Sequence, residues 1–392
     1  MRVLIAGGGT GGHLYPGIAL AEEVTARPGG QVLFVGTARG LESKLVPAAG
    51  FPLELIEVSG LNRVGLAGVL KGLGRLPRAF LASRAVLARF RPDLVVGVGG
   101  YASGPLVMAA ALSGYPTAIQ EQNSHPGITN RILGRFARRV FVAFEDARAF
   151  FAAKKTVLLG NPVRRRFLAN ATGAATGVAT LAAPAPAGTR LLILGGSQGA
   201  RMVNDLIVGA AAVLAAEGRL PPLTHQTGAA DEARVRQRYA DAGLAVGDAI
   251  VVSPFIDDMP AALASAALVV ARAGALTLAE LAITGRPAIL VPLPTAADDH
   301  QTRNAAELVR AGAAIVADQR TTTPEALARL IADLMADEPR RAAMARAMLG
   351  LGRPTATRDI VDELERVAGV PAHPAAPAGT AAAVAGREGK AS

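Results

Sequence analysis

Four glycine-rich segments, each placed directly after a short aliphatic run, restrict the fold of this chain more than any other feature. They span residues 7–13, 97–105, 195–199 and 272–277. A short aliphatic run bounded by glycines is typical of a buried parallel strand, and the helical pattern that follows it completes a β-α-β unit. The sequence therefore predicts an α/β fold in which each glycine segment leads from the carboxyl end of a strand into a helix.

The β-α-β rhythm occurs twice, and an uncharged stretch at 170–188, made almost entirely of Ala, Thr, Gly and Pro, interrupts it. Such a composition is typical of a linker or flexible loop. The predicted strands are 3–6, 31–35, 53–57, 94–98, 117–120, 140–143, 190–194, 250–252, 268–271, 288–291 and 314–316, and the predicted helices include 16–26, 42–49 and 106–113. We therefore expect two doubly wound parallel-sheet domains, both Rossmann-like.

The chain divides into five predicted segments. These are an N-terminal domain at 1–165, a linker at 166–189, a C-terminal domain at 190–345, a helix at 346–370 that returns to the N-terminal domain, and a tail at 371–392. The tail is Ala, Pro and Gly with a few charges, so it cannot bury enough apolar surface to become ordered.

Composition excludes several classes of protein. The chain has no cysteine, which excludes a disulfide scaffold, a thiolate metal site and a cysteine nucleophile. Its formal net charge is +10, which permits nucleic acid, anionic lipid or phosphorylated substrates as partners. Residues 94–120 carry no charge, but the glycines and prolines within them predict strand, loop, helix and strand rather than a membrane span.

The glycine segments point to anion binding, because glycine allows a ligand close to the backbone and a helix N-terminus attracts negative charge. Gly7, Gly9 and Gly12 match the G-x-G-x-x-G dinucleotide fingerprint. That fingerprint also needs an acidic residue at the end of the second strand, where Val35-Gly36-Thr37 stands instead, so a nicotinamide cofactor is disfavoured. No Gly-Lys-Ser/Thr triplet is present, which argues against ATP-driven phosphoryl transfer.

A set of longer motifs occurs in order along the chain. They are Gly8-Gly9-Thr10-Gly11-Gly12-His13 with Pro16, Gly99-Gly100-Tyr101 with Ser103-Gly104-Pro105, Glu121-Gln122-Asn123, Gly160-Asn161-Pro162-Val163-Arg164, Gly195-Gly196-Ser197-Gln198-Gly199-Ala200, Phe255-Ile256-Asp257-Asp258-Met259, and Gly274-Ala275-Leu276-Thr277 with Glu280. Together they resemble the MurG family, the undecaprenyl-diphospho-muramoylpentapeptide β-N-acetylglucosaminyltransferases. The resemblance covers roughly residues 1–370. Gln120, where the family often has His, and the segment 298–304 depart from its pattern.

The resemblance implies a GT-B fold, with two Rossmann-like domains facing each other across a cleft. It also implies an inverting transfer of N-acetylglucosamine from UDP-N-acetylglucosamine to the C4 hydroxyl of the lipid-linked muramoyl pentapeptide, lipid I, giving lipid II and UDP. No cofactor or metal is implied, and the expected location is peripheral, at the cytoplasmic face of the bacterial plasma membrane. The alternatives are another UDP-sugar enzyme of this fold, an epimerase or glycolipid transferase, or a non-catalytic nucleotide-sugar-binding membrane module.

The resemblance also implies which residues bind the donor. Glu280 would hold the ribose hydroxyls, the Ile256 backbone would read uracil, and Gln301 would read sugar hydroxyls. The full implied set is Thr10, Gly11, Gly12, Asn123, Arg164, Ser197, Ile256, Ala275, Leu276, Thr277, Leu278, Ala279, Glu280, Gln301 and Asn304. Independently of it, a helix beginning near Ala275 can direct its N-terminal amides at a diphosphate.

An inverting transfer needs a base for the acceptor hydroxyl, and His13 is the predicted one. A helix N-terminus beside it would lower its pKa and keep it neutral. The alternative is a structural histidine that bonds the loop backbone. Tyr101 and Ser103 are predicted to cradle the acceptor diphosphate.

The stretch 63–91 contains seven basic residues and no acidic one, interleaved with aliphatic and aromatic residues. This pattern favours docking on an anionic bilayer. The alternative is an amphipathic helix that packs on the core and exposes its charges to water. Nucleic acid is not expected as a partner, because the stretch lacks the aromatic interleaving typical of single-strand binding and any helix-turn-helix signal.

Overall fold

The computed structural model describes residues 1–38, 40–58, 66–171, 188–195, 200–294, 296 and 299–371, without the side chains of 66–76 and 169–171. Most of the predicted linker, the glycine segment after Gly195 and all but the first residue of the predicted tail lie outside the described residues.

The N-terminal half is built on a seven-stranded parallel sheet in the order β3-β2-β1-β4-β5-β6-β7. Its strands are β1 (Arg2–Gly7), β2 (Gln31–Gly36), β3 (Leu53–Leu55), β4 (Leu94–Gly99), β5 (Thr117–Glu121), β6 (Arg139–Val142) and β7 (Thr156–Leu158). Its helices are α1 (Gly11–Ala26), α2 (Glu42–Ala48), α3 (Leu66–Phe90), α4 (Ser103–Leu112) and α5 (Ile128–Leu133), and two short 3-10 helices span Glu145–Phe150 and Ala153–Lys155.

The C-terminal half is built on a six-stranded parallel sheet in the order β10-β9-β8-β11-β12-β13. Its strands are β8 (Arg190–Leu194), β9 (Leu223–Gln226), β10 (Ile250–Ser253), β11 (Ala266–Ala271), β12 (Ala288–Leu290) and β13 (Ala314–Val316). The helices from the end of the first sheet onward are α6 (Arg165–Ala171), α7 (Arg201–Ala216), α8 (Glu232–Asp241), α9 (Met259–Ser265), α10 (Ala275–Thr284), α11 (His300–Arg310), α12 (Pro324–Ala336), α13 (Glu338–Gly350) and α14 (Ala356–Ala368).

Each sheet carries helices on both faces, and each face has its own aliphatic core. In the N-terminal half, alternate residues of β1 pack to opposite sides: Leu4 and Ala6 into one core, Val3 and Ile5 into the other. Strands buried on both faces require near-continuous aliphatic runs, which is why these segments stood out in the sequence. The predicted α/β class, with two Rossmann-like parallel-sheet domains, is confirmed.

The glycine segments fall at the places where strand order reverses. In the first sheet β1 and β4 lie side by side, and the later strands are added outward from β1 on one side and from β4 on the other. The first two glycine segments follow β1 and β4. In the second sheet the same holds for β8 and β11 and the other two segments. Open α/β sheets bind ligands at such switch points, outside the carboxyl ends of the strands.

Several predicted boundaries differ from the structure. The predicted linker begins instead with α6, because Phe167 is buried in the core of the C-terminal half. The returning helix predicted at 346–370 is the end of α13 followed by α14, and only α14 packs on α1. There, Arg27, directly after α1, pairs with Glu365 of α14 at 2.9 Å.

Other differences have local causes. Strands β7 and β9 were missed because they read Thr-Val-Leu and Leu-Thr-His-Gln, and neither is a continuous aliphatic run. Helix α1 begins at Gly11, not near Pro16, so part of the first glycine segment is itself the first helical turn. None of the described helices combines the length and the apolar character that a membrane crossing requires.

Candidate functional site

A cleft of about 670 Å³ opens between the two halves, with walls contributed by both. From the N-terminal half it is lined by Thr10, Gly11, Gly12 and Tyr15. From the junction and the C-terminal half it is lined by Arg164, Arg166, Leu194, Gly195, Ala200, Arg201, Met202, Gln226, Phe255, Ile256, Met259, Arg272, Gly274, Ala275, Leu276, Thr277, Glu280, Leu293, Gln301 and Gln319. Ten of the fifteen predicted donor residues therefore line one space: Thr10, Gly11, Gly12, Arg164, Ile256, Ala275, Leu276, Thr277, Glu280 and Gln301.

Two helix N-termini face this cleft. Helix α10 begins after Gly274 and α1 begins after Thr10, and neither capping residue makes a side-chain hydrogen bond to the helix. The first backbone amides of a helix have no partner within the helix, and the helix dipole adds positive potential there. The cleft is therefore suited to an anionic ligand such as a diphosphate.

Arg164 and Glu280 meet inside the cleft. Nη2 of Arg164 lies 3.1 Å from Oε1 of Glu280, and the two side chains are only 14% and 10% exposed. Burial raises the pKa of Glu280, and the charge and hydrogen bond of Arg164 oppose that effect. The guanidinium also lies 4.3 Å from the ring centre of Tyr15, a cation–π contact that ties α1 to this pair.

Arg272 and Gln301, which also line the cleft, are held by backbone groups. Nη1 of Arg272 donates to the carbonyls of Val291 and Pro292, each at 3.0 Å. Burial lowers the pKa of Arg272 to about 10, so it remains a cation at neutral pH. Oε1 of Gln301 accepts from the Leu293 amide at 2.9 Å, which leaves its amide nitrogen as the donor available to a ligand.

His13 lies in the first turn of α1, where the first two glycine segments meet. It follows the cleft residues Gly11 and Gly12 directly and is not itself one of the lining residues. A methyl group on Gly99 would lie 2.7 Å from Cδ2 of His13, and Oγ1 of Thr10 lies 3.4 Å from Nδ1. Burial is the main cause that lowers the pKa of His13, and nearby His300 adds to it. A backbone hydrogen bond with Gly8 acts in the opposite direction. The prediction of a lowered pKa therefore holds, but its main cause is burial and not the helix terminus.

Asn123 and Asn304 do not line the cleft, because they bond to each other at the contact between the halves. Nδ2 of Asn304 donates to Oδ1 of Asn123 at 3.1 Å, and the Ser124 amide donates to Oδ1 of Asn304 at 2.9 Å. Asn304 is fully buried. Their predicted contacts with the donor stay predictions, and in this structure their amide groups hold the two halves together.

Leu278 and Ala279 also lie away from the cleft. They sit on the other side of α10, at a small cavity of about 50 Å³ behind the cleft. Leu278 is 2% exposed and belongs to the core, so its side chain cannot reach a ligand in the cleft. The helical period explains Leu278, because a residue two positions beyond Leu276 points to the opposite face of α10.

The acceptor residues are placed differently from one another. Tyr101 is 49% exposed at the surface. Ser103 is fully buried, and its hydroxyl packs over Gly97, where a methyl group would lie 2.6 Å from Oγ. The Ser103 hydroxyl therefore lies beneath the loop, and the predicted contact of Ser103 with the acceptor diphosphate stays a prediction. Ser197, predicted to bind a donor phosphate, lies outside the described residues.

Sequence reasoning missed six polar residues that line the cleft, Tyr15, Arg166, Arg201, Gln226, Arg272 and Gln319, and also Glu121, which does not line it. Glu121 is 1% exposed and accepts from the Asn123 amide and from Nδ2 of Asn130, both at 2.9 Å. It therefore shapes the loop that carries Asn123. Its place in the Glu-Gln-Asn motif was a usable signal, as was the position of Arg272 at the end of β11.

An apolar surface lies next to the second glycine segment. Leu81, Ile128, Ile132 and Phe136 are 64%, 55%, 43% and 49% exposed. A groove of about 670 Å³ runs among Pro77, Phe80, Leu81, Gly104, Pro105, Met108, Thr129, Ile132 and Leu133. Arg78, Arg84, Arg131 and Arg135 are exposed on the same two helical segments. We call this set of apolar and basic side chains the docking face.

Comparisons with known proteins agree with this geometry. The Glycosyltransferase family 28 N-terminal domain matches residues 3–142, and the Glycosyltransferase family 28 C-terminal domain matches residues 190–364. The UDP-N-acetylglucosamine–N-acetylmuramyl-(pentapeptide) pyrophosphoryl-undecaprenol N-acetylglucosamine transferase of Anaeromyxobacter sp. (strain K) is 52% identical over 363 residues, which is 92% of each chain.

Two solved structures are also similar. The crystal structure of MurG from Acinetobacter baumannii is 33% identical with a TM-score of 0.72, and the match covers 93% of this chain and 99% of that one. UDP-GlcNAc 2-epimerase from Neisseria meningitidis, bound to UDP-GlcNAc, is 14% identical with a TM-score of 0.65 and covers 93% of this chain and 100% of its own, a likeness that shows the fold alone. With both family models matched and such identity over 92% of its length, this chain belongs to the MurG family of N-acetylglucosamine transferases.

Proposed function

We propose that this protein transfers N-acetylglucosamine from UDP-N-acetylglucosamine to the C4 hydroxyl of N-acetylmuramyl-pentapeptide pyrophosphoryl-undecaprenol, lipid I. The products are lipid II and UDP. The observation that carries the proposal is the convergence of two helix N-termini and the Arg164–Glu280 pair on one cleft, in a chain that belongs to this family.

The donor diphosphate would lie at the start of α10. Negative charge develops on the leaving UDP as the bond between its phosphate oxygen and the sugar C1 breaks, and groups aimed at that charge lower the barrier. The α10 amides, Arg164 and Arg272 all line the cleft and carry positive potential. Glu280 would accept hydrogen bonds from the ribose hydroxyls, and the amide nitrogen of Gln301 would donate a hydrogen bond to a sugar hydroxyl.

His13 is the proposed base. Its lowered pKa keeps the imidazole neutral at pH 7, which is the form that can accept a proton. The acceptor hydroxyl would give its proton to the ring as its oxygen attacks C1, and the electron pair of the broken bond would leave on UDP. Attack opposite the leaving group inverts the configuration at C1.

The lipid-linked acceptor suggests where the protein works. The docking face lies beside Tyr101 and joins exposed apolar side chains to arginines, a combination suited to an anionic membrane surface. We propose that it seats the protein peripherally on the cytoplasmic face of the bacterial plasma membrane. The predicted stretch 63–91 contributes its described end, from Pro77 onward. The rest of the face comes from α4, from α5 and from the turn after α5.

The test is an assay with UDP-N-acetylglucosamine and lipid I that measures UDP release and lipid II formation together. Equal amounts of both, with no UDP released when lipid I is absent, would support the transferase. Formation of N-acetylmannosamine would favour the epimerase, and donor binding without any product would favour the non-catalytic module. His13→Gln is expected to lower kcat by about a hundredfold or more, as for loss of a general base.

A further inference from the structure

Glu42 is the first residue of α2, and its side chain turns inward beneath the first glycine segment. Only 1% of the residue is exposed. It does not line the cleft, and its carboxylate lies against the backbone amide of Gly9. Burying a carboxylate is costly unless its oxygens are hydrogen-bonded, so its partners indicate what it stabilises.

Both carboxylate oxygens have partners on neighbouring loops. Oε2 accepts from the backbone amide of Gly9 at 2.7 Å. Oε1 accepts from the backbone amide and from the hydroxyl of Thr37, both at 2.8 Å. Glu42 therefore clamps the loop after β1 to the loop after β2, using three short hydrogen bonds.

Three glycines leave the space that the carboxylate fills. A methyl group on Gly8, Gly36 or Gly40 would overlap the Glu42 side chain. These glycines come from the loop after β1, the end of β2 and the turn before α2. The niche is therefore built by three separate segments, which is more than a helix-capping contact would need.

The same loop holds His13 on its other side. The Gly8 backbone is hydrogen-bonded to His13, and Gly8 also packs on Gly100 so closely that Gly100 has no room for a side chain. The order in space is thus Glu42, then the Gly8–Gly9 backbone, then the His13 imidazole. The charged groups that act on His13 are the Glu42 carboxylate and His300.

We propose that Glu42 is a positioning residue of the transfer reaction, whose buried carboxylate sets the Gly8–Gly9 backbone and through it the placement of His13. Because the Gly9 amide donates to Glu42, it cannot donate to a phosphate. The anion-binding amides of this loop are then those of Gly11 and Gly12 at the start of α1. This inference rests on the proposed role of His13 as the base.

The test compares Glu42→Gln with Glu42→Asp in the complete chain. Gln keeps the shape but replaces one oxygen by an NH2 group, so it cannot accept from both Gly9 and Thr37, and it removes the charge. Asp keeps the charge but is one methylene shorter. We expect kcat of Glu42→Gln to fall ten- to a hundredfold, while KM for UDP-N-acetylglucosamine changes less than threefold.

The pH profile distinguishes positioning from a general loss of structure. The Glu42 charge favours protonated His13, so its removal should move the acidic limb of kcat to lower pH. Glu42→Asp should also turn over more slowly but leave that limb in place. Partial unfolding would lower the active fraction, measured by UDP binding stoichiometry, without moving the limb.

Glu57→Gln is the matched control, because Glu57 is exposed in the same half and its loss changes the net charge equally. If the wild-type chain transfers sugar and Glu42→Gln behaves like Glu57→Gln, the positioning role fails while the proposed function stands. If His13→Gln keeps full activity, His13 is not the base, and the positioning role of Glu42 is contradicted with it. If neither Glu42 variant gives a folded protein, the carboxylate is a requirement of folding and the inference is overturned.

Discussion

Arg164 and Glu280 bond across the cleft at 3.1 Å, although both are predicted to bind the donor. Arg164 follows the last strand of the first sheet, and Glu280 lies in the helix whose start is predicted to hold the donor diphosphate. Each of these two buried charges is thus compensated by the other. A UDP donor can take over both roles, since its diphosphate is an anion for Arg164 and its ribose offers hydroxyls to Glu280.

We expect Glu280→Gln to weaken donor binding by roughly ten- to a hundredfold, because hydrogen bonds to a charged group contribute about 1.5–3 kcal/mol. The variant also leaves Arg164 without its carboxylate. The measurement is KM for UDP-N-acetylglucosamine together with UDP affinity by calorimetry. Glu217→Gln, which removes an exposed carboxylate paired with Arg219, is the control. Unchanged UDP affinity in Glu280→Gln would refute the role of Glu280 as ribose ligand.

Asn304 and Asn123 join the two halves by one side-chain hydrogen bond. Asn304→Ala also leaves the buried Ser124 amide without its acceptor, so we expect about 1–3 kcal/mol less free energy of unfolding. Asn123→Ala should cost less, because Asn304 keeps its bonds to Ser124 and to the Ala273 carbonyl. Urea unfolding of both single variants and the double variant gives the coupling energy, and a coupling near zero would contradict the direct bond.

The fold was predictable because its decisive signals are local. Runs such as Val3–Ala6 are aliphatic since both faces of each sheet are covered, and the glycine segments mark the ends of central strands. The missed strand β9 contains His225. Its ring nitrogens are hydrogen-bonded to Tyr239 and Asn204, which lie 14 and 21 positions away in the sequence. A buried polar network of this kind leaves no periodic apolar signal.

The site was predictable in part, for a related reason. The motifs predicted most of the donor residues that line the cleft. The direction of each side chain, however, depends on how the helices and strands pack against one another. Ser103 and Leu278 were predicted as site residues and yet their side chains are buried, while Glu42 lies in no quoted motif and yet holds the first loop. Contacts between the halves, such as Asn123 with Asn304, require knowledge of how the two sheets meet.

The docking face should bind anionic vesicles. Burial of a Leu or Ile side chain contributes about 1.5–3 kcal/mol, so the double variant Leu81→Ser/Ile132→Ser should bind at least roughly tenfold more weakly. Flotation with vesicles containing anionic lipid, at low and at high salt, measures this. Val309→Ser is the control, because Val309 is 41% exposed on the C-terminal half. Equal flotation of the double variant and the control would exclude this surface as the membrane contact.

Arg84→Glu tests the charged part of the same face. Each basic residue near an anionic surface contributes about 1 kcal/mol, so reversing one charge should weaken binding and reduce its dependence on salt. Activity toward a short-chain, water-soluble acceptor should stay unchanged, because Arg84 is exposed and does not line the cleft. A loss of that activity would indicate a role for Arg84 in the site and contradict the docking assignment.

His225 should make the protein less stable in mild acid. Its ring is fully buried between the Tyr239 hydroxyl at 3.0 Å and Oδ1 of Asn204 at 3.1 Å, and burial lowers its pKa from 6.5 to about 3. His225 is therefore protonated below about pH 6.5 in the unfolded chain, but only below about pH 3 in the folded protein. This contribution to stability is complete above pH 6.5 and is lost as the pH falls toward 3.

At pH 5 the loss from His225 amounts to about 2 kcal/mol, since one pKa unit corresponds to about 1.4 kcal/mol. Burial raises the pKa of Glu121 and of Glu280. Protonation of these two carboxylates therefore increases the free energy of unfolding as the pH falls, which opposes the effect of His225 over part of this range. The informative quantity is therefore the difference between wild type and His225→Gln in free energy of unfolding, measured with urea from pH 5 to 7.5. We expect His225→Gln to be less stable at pH 7.5, because it fills the site poorly, and the gap to narrow by about 2 kcal/mol at pH 5. A gap that stays constant with pH would mean that His225 titrates alike in the folded and unfolded chains, and it would contradict the lowered pKa of the buried ring.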